Sequence, residues 1–315
     1  MLANIIVPDH HTRFLFFAGK GGVGKSTLSA ATAVWLADQG IPTLLVSTDL
    51  QRSLSDLFER EIGGQETAIP EVPGLLVRET EPERLVREHW HQLAGAVQDA
   101  FGPSEVLELM SREVSSCMME MASFYFLLEL YTSGAERFRA IVFDTAPGGR
   151  ALVEIRLPFT LARRHSGDDH FAAFRVVPDA VAEEISRQEA RTQEALRLLT
   201  DPATTAFIYV LWPESLPIAE TERAISELAG HGIHVPALIV NEVLPDFEVR
   251  RADTEYFWER WKMQRKHRAT VDEKFSDRVI VEVPLRAREI KGVAQLREVG
   301  QRLYSPNDPS KGVRR

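Results

Sequence analysis

Seven short runs of apolar, β-branched and aromatic residues recur along the chain. They are "RFLFFA" (13–18), "PTLLVST" (42–48), "GLLVRET" (74–80), "AIVFDT" (140–145), "TTAFIYVLW" (204–212), "PALIVNEV" (236–243) and "RVIVEVP" (278–284). Most are continuously apolar rather than alternating, the pattern of strands covered on both faces. Stretches with helical periodicity lie between them. Alternating strands and helices predict an α/β fold with a mostly parallel sheet flanked by helices and right-handed crossovers. Two connections, 81–136 and 158–200, are longer than crossovers need and helical in composition, so they predict a helical insertion subdomain. Within the first, "VSSCMMEMASFYFLLELY" (114–131) is apolar nearly all round, broken mainly by Glu120 and Glu129, and is expected to be buried on every side. One domain is predicted over 13–303, followed by a frayed tail from 304 to 315.

Composition narrows the functions. The chain has 315 residues, 44% of them hydrophobic and 26% charged, as in an ordinary globular protein. A net charge of −9 argues against a general affinity for nucleic acid or anionic lipid. The single cysteine, Cys117, excludes an intrachain disulfide or a CxxC site. The start "MLANIIVPDHH" has neither a basic n-region nor a long apolar run, and no apolar stretch reaches the ~18 residues of a membrane span. A cytoplasmic protein is expected.

The chemistry concentrates after the first strand, in "FFAGKGGVGKSTLSA" (16–30). Gly19, Gly24, Lys25 and Ser26 satisfy the G-x(4)-G-K-[ST] spacing, and "STLSAATAVWLADQG" follows as a helix closed by Gly40. Taken alone such a stretch is a glycine-rich turn; the strand before and the helix after make it a phosphate-binding loop. Its glycines let the backbone N–H groups of Gly19, Gly21, Gly22, Val23, Gly24, Lys25, Ser26 and Thr27 surround phosphates, with the helix N-terminus adding positive potential. Lys25 is expected to reach the β and γ phosphates of a nucleotide, and the Ser26 hydroxyl to bind Mg²⁺. The loop has a second cation, Lys20, directly after the first glycine. On the loop's outer side it is either a solvated surface lysine or a charge offered to a phosphate on a facing subunit, where it would act like an arginine finger.

"GKGGVGKST" with "LLVSTDLQRSLSDLF" (44–58) and "IVFDTAPGGRALVEIRLP" (141–158) closely resembles the ArsA family of deviant Walker A ATPases. That family includes arsenite-pump ATPases and the eukaryotic ATPases that target tail-anchored membrane proteins. "PESLPIAETERAISEL" (213–228), "LIVNEVLP" (238–245) and "VPLRAREIKGV" (283–293) extend the resemblance from about Phe14 to Leu303. It implies a P-loop NTPase that works as a homodimer, hydrolyses ATP with Mg²⁺, and acts beside a membrane pump subunit or on a tail-anchored client. It also implies residue roles. Asp49 matches the aspartate that orients the attacking water, and Asp144 the Walker B carboxylate that holds Mg²⁺ through water. Asn241 matches the asparagine that hydrogen-bonds adenine, and Pro284 and Leu285 match the loop packed on the base. From the residues alone, the alternatives are a helix N-cap for Asp49 and a turn residue for Asn241.

The sequence departs from the family at both switches. Leu50, Gln51 and Arg52 stand where the family has proline, alanine and histidine. Gly148, Gly149, Arg150 and Ala151 replace threonine, glycine, histidine and threonine. Both histidines have become arginine, so a fixed charge replaces a titratable one. Cys117 falls where arsenite-pump ATPases have a metalloid-binding cysteine; a symmetric dimer would bring two thiolates together, not three. As a residue it also reads as a small buried apolar group. Met110, Met118, Met119 and Met121 cluster in the first insertion, either as an adaptable apolar surface for a client or as helix core or dimer interface. The basic stretch "RWKMQRKHR" (260–268) is read as the solvated face of a helix rather than a nucleic-acid site. The function expected is the ATP-hydrolysing motor of an arsenite or anion efflux system. The alternatives are a targeting ATPase for tail-anchored proteins and a nucleotide-dependent switch that does not hydrolyse.

Overall fold

The computed structural model describes residues 2–9, 11–48, 53–80, 126, 129–130, 134–145, 190, 193–246 and 255–304. Asp49 to Arg52, Gly148 to Ala151, Cys117 and the four clustered methionines lie outside them, as does most of both predicted helical insertions.

All seven expected strands are present. They are β1 (Arg13–Gly19), β2 (Thr43–Ser47), β4 (Leu75–Glu79), β5 (Ala140–Asp144), β6 (Thr205–Leu211), β7 (Ala237–Val243) and β8 (Val279–Pro284). A further strand, β3 (Thr67–Ala68), has two residues and pairs antiparallel with β4. The sheet order is β3-β4-β2-β5-β1-β6-β7-β8, and every other pairing is parallel. Every residue of β1, β2, β5 and β6 is buried, whereas the outer strands β4 and β8 alternate with partly exposed positions. The central strands therefore read as continuous apolar runs.

Successive side chains point to opposite faces and so build two core layers. On one face Leu15, Phe17, Leu45, Val142 and Ile208 pack with helices α1 (Lys25–Asp38), α2 (Ser53–Phe58) and α5 (Gly292–Tyr304). On the other, Phe16 stacks between Phe143 (4.4 Å) and Phe207 (4.7 Å). That layer includes residues of α3 (Ser215–Gly230) and α4 (Glu255–Lys274). Several basic residues of α4 are ion-paired, Arg260 with Glu214 (2.6 Å) and Arg268 with Glu282. The helix faces inward with Trp261, Gln264 and Val271.

α1 and α5 pack closely at Gly300. A methyl group there would sit 2.7 Å from the Ala31 carbonyl oxygen and 2.9 Å from Trp35 Cβ. Nearby, the Tyr304 hydroxyl and Thr32 Oγ1 share a buried hydrogen bond of 2.5 Å. Gly300→Ala is therefore expected to destabilise the protein. Overpacking costs about 1–3 kcal/mol and the better helix propensity returns at most about 1. A lower urea midpoint with an unchanged m-value is the outcome that shows it.

Candidate functional site

The sheet grows outward in both directions from β1, and such a switch in strand order leaves a crevice beyond the carboxyl ends of the strands. The glycine-rich loop leaves β1 at this point and enters α1 at Lys25. Gly24, the residue before the helix, has φ 91°, in the left-handed region. A methyl group on it would meet Asn241 Nδ2 at 2.4 Å. Asn241 Nδ2 donates to the Val23 carbonyl at 2.9 Å, so β7 braces the loop from the side.

Lys25 is 5% exposed, and its Nζ donates to the Lys20 carbonyl at 3.1 Å. The ammonium thus curls back over the loop. The first turn of α1 has no side-chain cap and no acidic residue. Its N–H groups, the helix dipole and the buried lysine together make a site for an anion. Lys20 points away, with its side chain 44% exposed and its Nζ 3.5 Å from Glu220 on α3.

Beside the loop, β5 ends in Asp144, fully buried, in register with Ser47 of β2 and Phe17 of β1. Ser47 Oγ donates to Asp144 Oδ2 at 3.1 Å. A carboxylate in so dry a position calls for hydrogen bonds and cationic company. Ser26, the first residue after Lys25, receives a hydrogen bond at its Oγ from Ser53 Oγ of α2 at 3.1 Å. A hydroxyl at a helix start and a buried carboxylate are hard oxygen groups of the kind magnesium takes. The residues present fit a magnesium nucleotide.

The far side of the loop is formed by β7 and the chain just past β8. Past Asn241 the pairing with β8 shifts register, and Glu242 has φ 56°. Gln264 of α4, 5% exposed, holds this irregularity: its Oε1 accepts from Leu244 N–H (2.8 Å) and its Nε2 donates to the Glu242 carbonyl (3.1 Å). Burial raises the Glu242 carboxyl pKa, with Arg260 opposing and Glu214 adding to the shift. The Leu285 N–H donates to the Val243 carbonyl at 2.8 Å, which ties the chain just past the end of β8 to β7. Leu285 is left 43% exposed, an apolar surface beside β7.

The structure brings the loop residues Gly19 to Thr27 together with Asp144 on one side and Asn241 on the other. Asn241 is a strand residue, not a turn residue. Sequence reading missed Ser47, Ser53, Glu79, Glu220 and Gln264. Ser53 carried a signal, since serine ahead of "LSDLF" reads as a helix N-cap. The other four had none, because their partners are distant in sequence.

A glycine-rich turn between a central parallel strand and a helix, with a buried lysine and a strand-end carboxylate, defines a nucleotide-binding P-loop protein. Residues 12–305 match the anion-transporting ATPase family, and the chain belongs to it. It is an ATPase by that membership. A protein of Halobacterium salinarum with the provisional name arsenical pump-driving ATPase is 34% identical over 96% of this chain, which spans 45% of that relative's length. The ATPase GET3 of Debaryomyces hansenii is 30% identical over 96% of this chain and 93% of its own length. A Prosthecochloris vibrioformis protein, again provisionally an arsenical pump-driving ATPase, is 30% identical over 95% of this chain and 76% of its own. Among the described residues no helix is long and apolar enough to cross a membrane.

Proposed function

We propose that this chain is the dimeric, magnesium-dependent ATP-hydrolysing motor of an arsenite or anion efflux system. The observation that carries the ATP site is the buried Lys25 ammonium over the uncapped start of α1, with buried Asp144 ending the neighbouring strand. In this reading the loop amides from Gly19 to Thr27 and Lys25 bind the phosphates. Ser26 and Asp144 hold Mg²⁺, the latter through water, and the metal neutralises charge on the transferring phosphoryl group. Asp49 orients the attacking water. Asn241, Pro284 and Leu285 hold the adenine, and Lys20 serves the site of a facing protomer.

The pump role rests on the family description and on relatives with pump names. A second reading rests on relatives named ATPase GET3, one of them 30% identical over 96% of this chain. In that reading the protein is a targeting ATPase, and the methionine-rich insertion faces a tail-anchored client.

ATPase rate measured with and without trivalent arsenic separates the two. For a pump motor, arsenite or antimonite raises the rate and Cys117→Ser removes the rise. A rate indifferent to metalloid but raised by a transmembrane-helix peptide overturns the pump reading in favour of the second.

A further inference from the structure

Strand β4 ends in Glu79, which is 2% exposed and whose carboxylate faces no lysine or arginine among its hydrogen-bond partners in the described residues. It instead receives the start of α2. Leu54 N–H donates to Oε1 at 2.7 Å, Ser55 N–H to the same oxygen at 3.3 Å, and Ser55 Oγ to Oε2 at 3.0 Å. These are charge-assisted bonds to N–H groups that the helix itself leaves unpaired. Glu79 therefore caps α2 from a distant strand, in place of the local serine that the sequence offered.

The cap fixes what precedes it. Ser53, one residue before Leu54, places its Oγ 3.1 Å from Ser26 Oγ. Ile62 N–H donates to Ser55 Oγ (3.2 Å), so the far end of the segment is closed on the same group. Glu79 lies in register with Ser47, whose hydroxyl in turn bonds Asp144. Both hydroxyl–oxygen contacts beside the magnesium site thus hang on adjacent ends of β2 and β4.

We propose that Glu79 is a positioning residue that sets Ser53 against Ser26, and that Ser53 tunes the magnesium site by exchanging its hydrogen bond with Ser26. The proposal rests on the reading of Ser26 as a magnesium ligand. Without metal, Ser53 donates to Ser26. A Ser26 oxygen committed to a cation offers its lone pair there and turns its proton outward, and Ser53 then accepts it. A hydroxyl does either without moving; alanine does neither.

The test is the binding of a fluorescent ATP analogue as a function of free Mg²⁺, which reads the site without turnover. Ser53→Ala and Glu79→Gln should each raise the half-saturating Mg²⁺ by about threefold to tenfold, the range of one hydrogen bond. Nucleotide affinity in EDTA should stay within about twofold, because neither residue touches the phosphate loop amides. The double variant should be no worse than the stronger single one, since both act through one contact. Effects that multiply, or an unchanged Mg²⁺ requirement in Ser53→Ala, overturn the proposal. Should Glu79→Gln fail to fold, Ser53→Ala decides alone. If wild-type binding ignores Mg²⁺, or Ser26→Ala leaves it unaltered, the magnesium reading falls and the proposal with it.

Discussion

Lys25→Ala is expected to bind ATP at least about a hundredfold more weakly, because a buried cation with several charge-assisted bonds to phosphate is lost. The side chain is 5% exposed, so its ammonium already carries a desolvation cost that bound phosphate relieves. The first turn of α1 still offers N–H groups, but these alone have no net charge to set against a triphosphate. The fold should survive, since the loop remains braced by Asn241 on Val23 and by the glycine conformations that lysine does not set. Two measurements check this. Titration with a fluorescent ATP analogue gives the loss of affinity. Thermal unfolding with saturating ATP should show the stabilisation of the wild type and none in the variant, because only a ligand that binds the native state stabilises it. A variant that keeps its ATP-dependent stabilisation would place the nucleotide elsewhere.

The parts of this site that depend on local spacing were legible in the sequence. The loop is a contiguous motif, and Gly19, Gly22 and Gly24 stand where the backbone takes a positive φ or approaches a neighbour. Asp144 was named through the family resemblance, and it stands at the crevice end of the sheet because it ends an apolar strand. The strands were legible through their burial on both faces. β3 escaped because two residues, Thr67 and Ala68, carry no periodicity, and its antiparallel pairing needs no crossover.

Long-range partners escaped for a different reason. Glu79 reaches α2 because the sheet order sets β4 beside β2, a consequence of topology that no window of sequence contains. Gln264 clamps Glu242 and Leu244 from a helix in a stretch that looked like a basic solvated face. Its amide serves one donor and one acceptor where the pairing of β7 with β8 breaks, and the need for it arises only from that break. Ser53 was recognisable as an N-cap, yet the cap is supplied by Glu79 and the serine is left for Ser26. In each case the residue type was visible and the partner was not.

Glu220 belongs to this group, and it bears on the cross-subunit reading of Lys20. The Lys20 ammonium rests 3.5 Å from Glu220 with both side chains more than a third exposed. Such a pair is worth about 0–1 kcal/mol and gives way to a more highly charged partner. Two ATP molecules facing each other across a two-fold axis would supply that partner, each drawing the opposite Lys20 from its carboxylate. Lys20→Ala should then bind nucleotide nearly normally while losing most turnover and the ATP-dependent part of dimerisation. Asp49→Asn should bind and dimerise but not hydrolyse, because orienting the water adds little to ground-state affinity.

Mixing the two variants discriminates between a lysine that serves its own site and one that serves its neighbour's. In a mixed dimer the site built on the Lys20→Ala protomer keeps Asp49 and faces an intact Lys20. The other site lacks its own Asp49 and faces alanine. One competent site in each mixed dimer should restore about a quarter of wild-type turnover at random 1:1 exchange, since half the dimers are mixed. A lysine acting on its own site predicts none, because each protomer then carries one fatal change. Exchange is checked by differently tagged subunits recovered together. If mixed dimers form and remain as inactive as their parents, Lys20 works within its own protomer, and the ion pair with Glu220 is then a resting contact of an ordinary loop lysine.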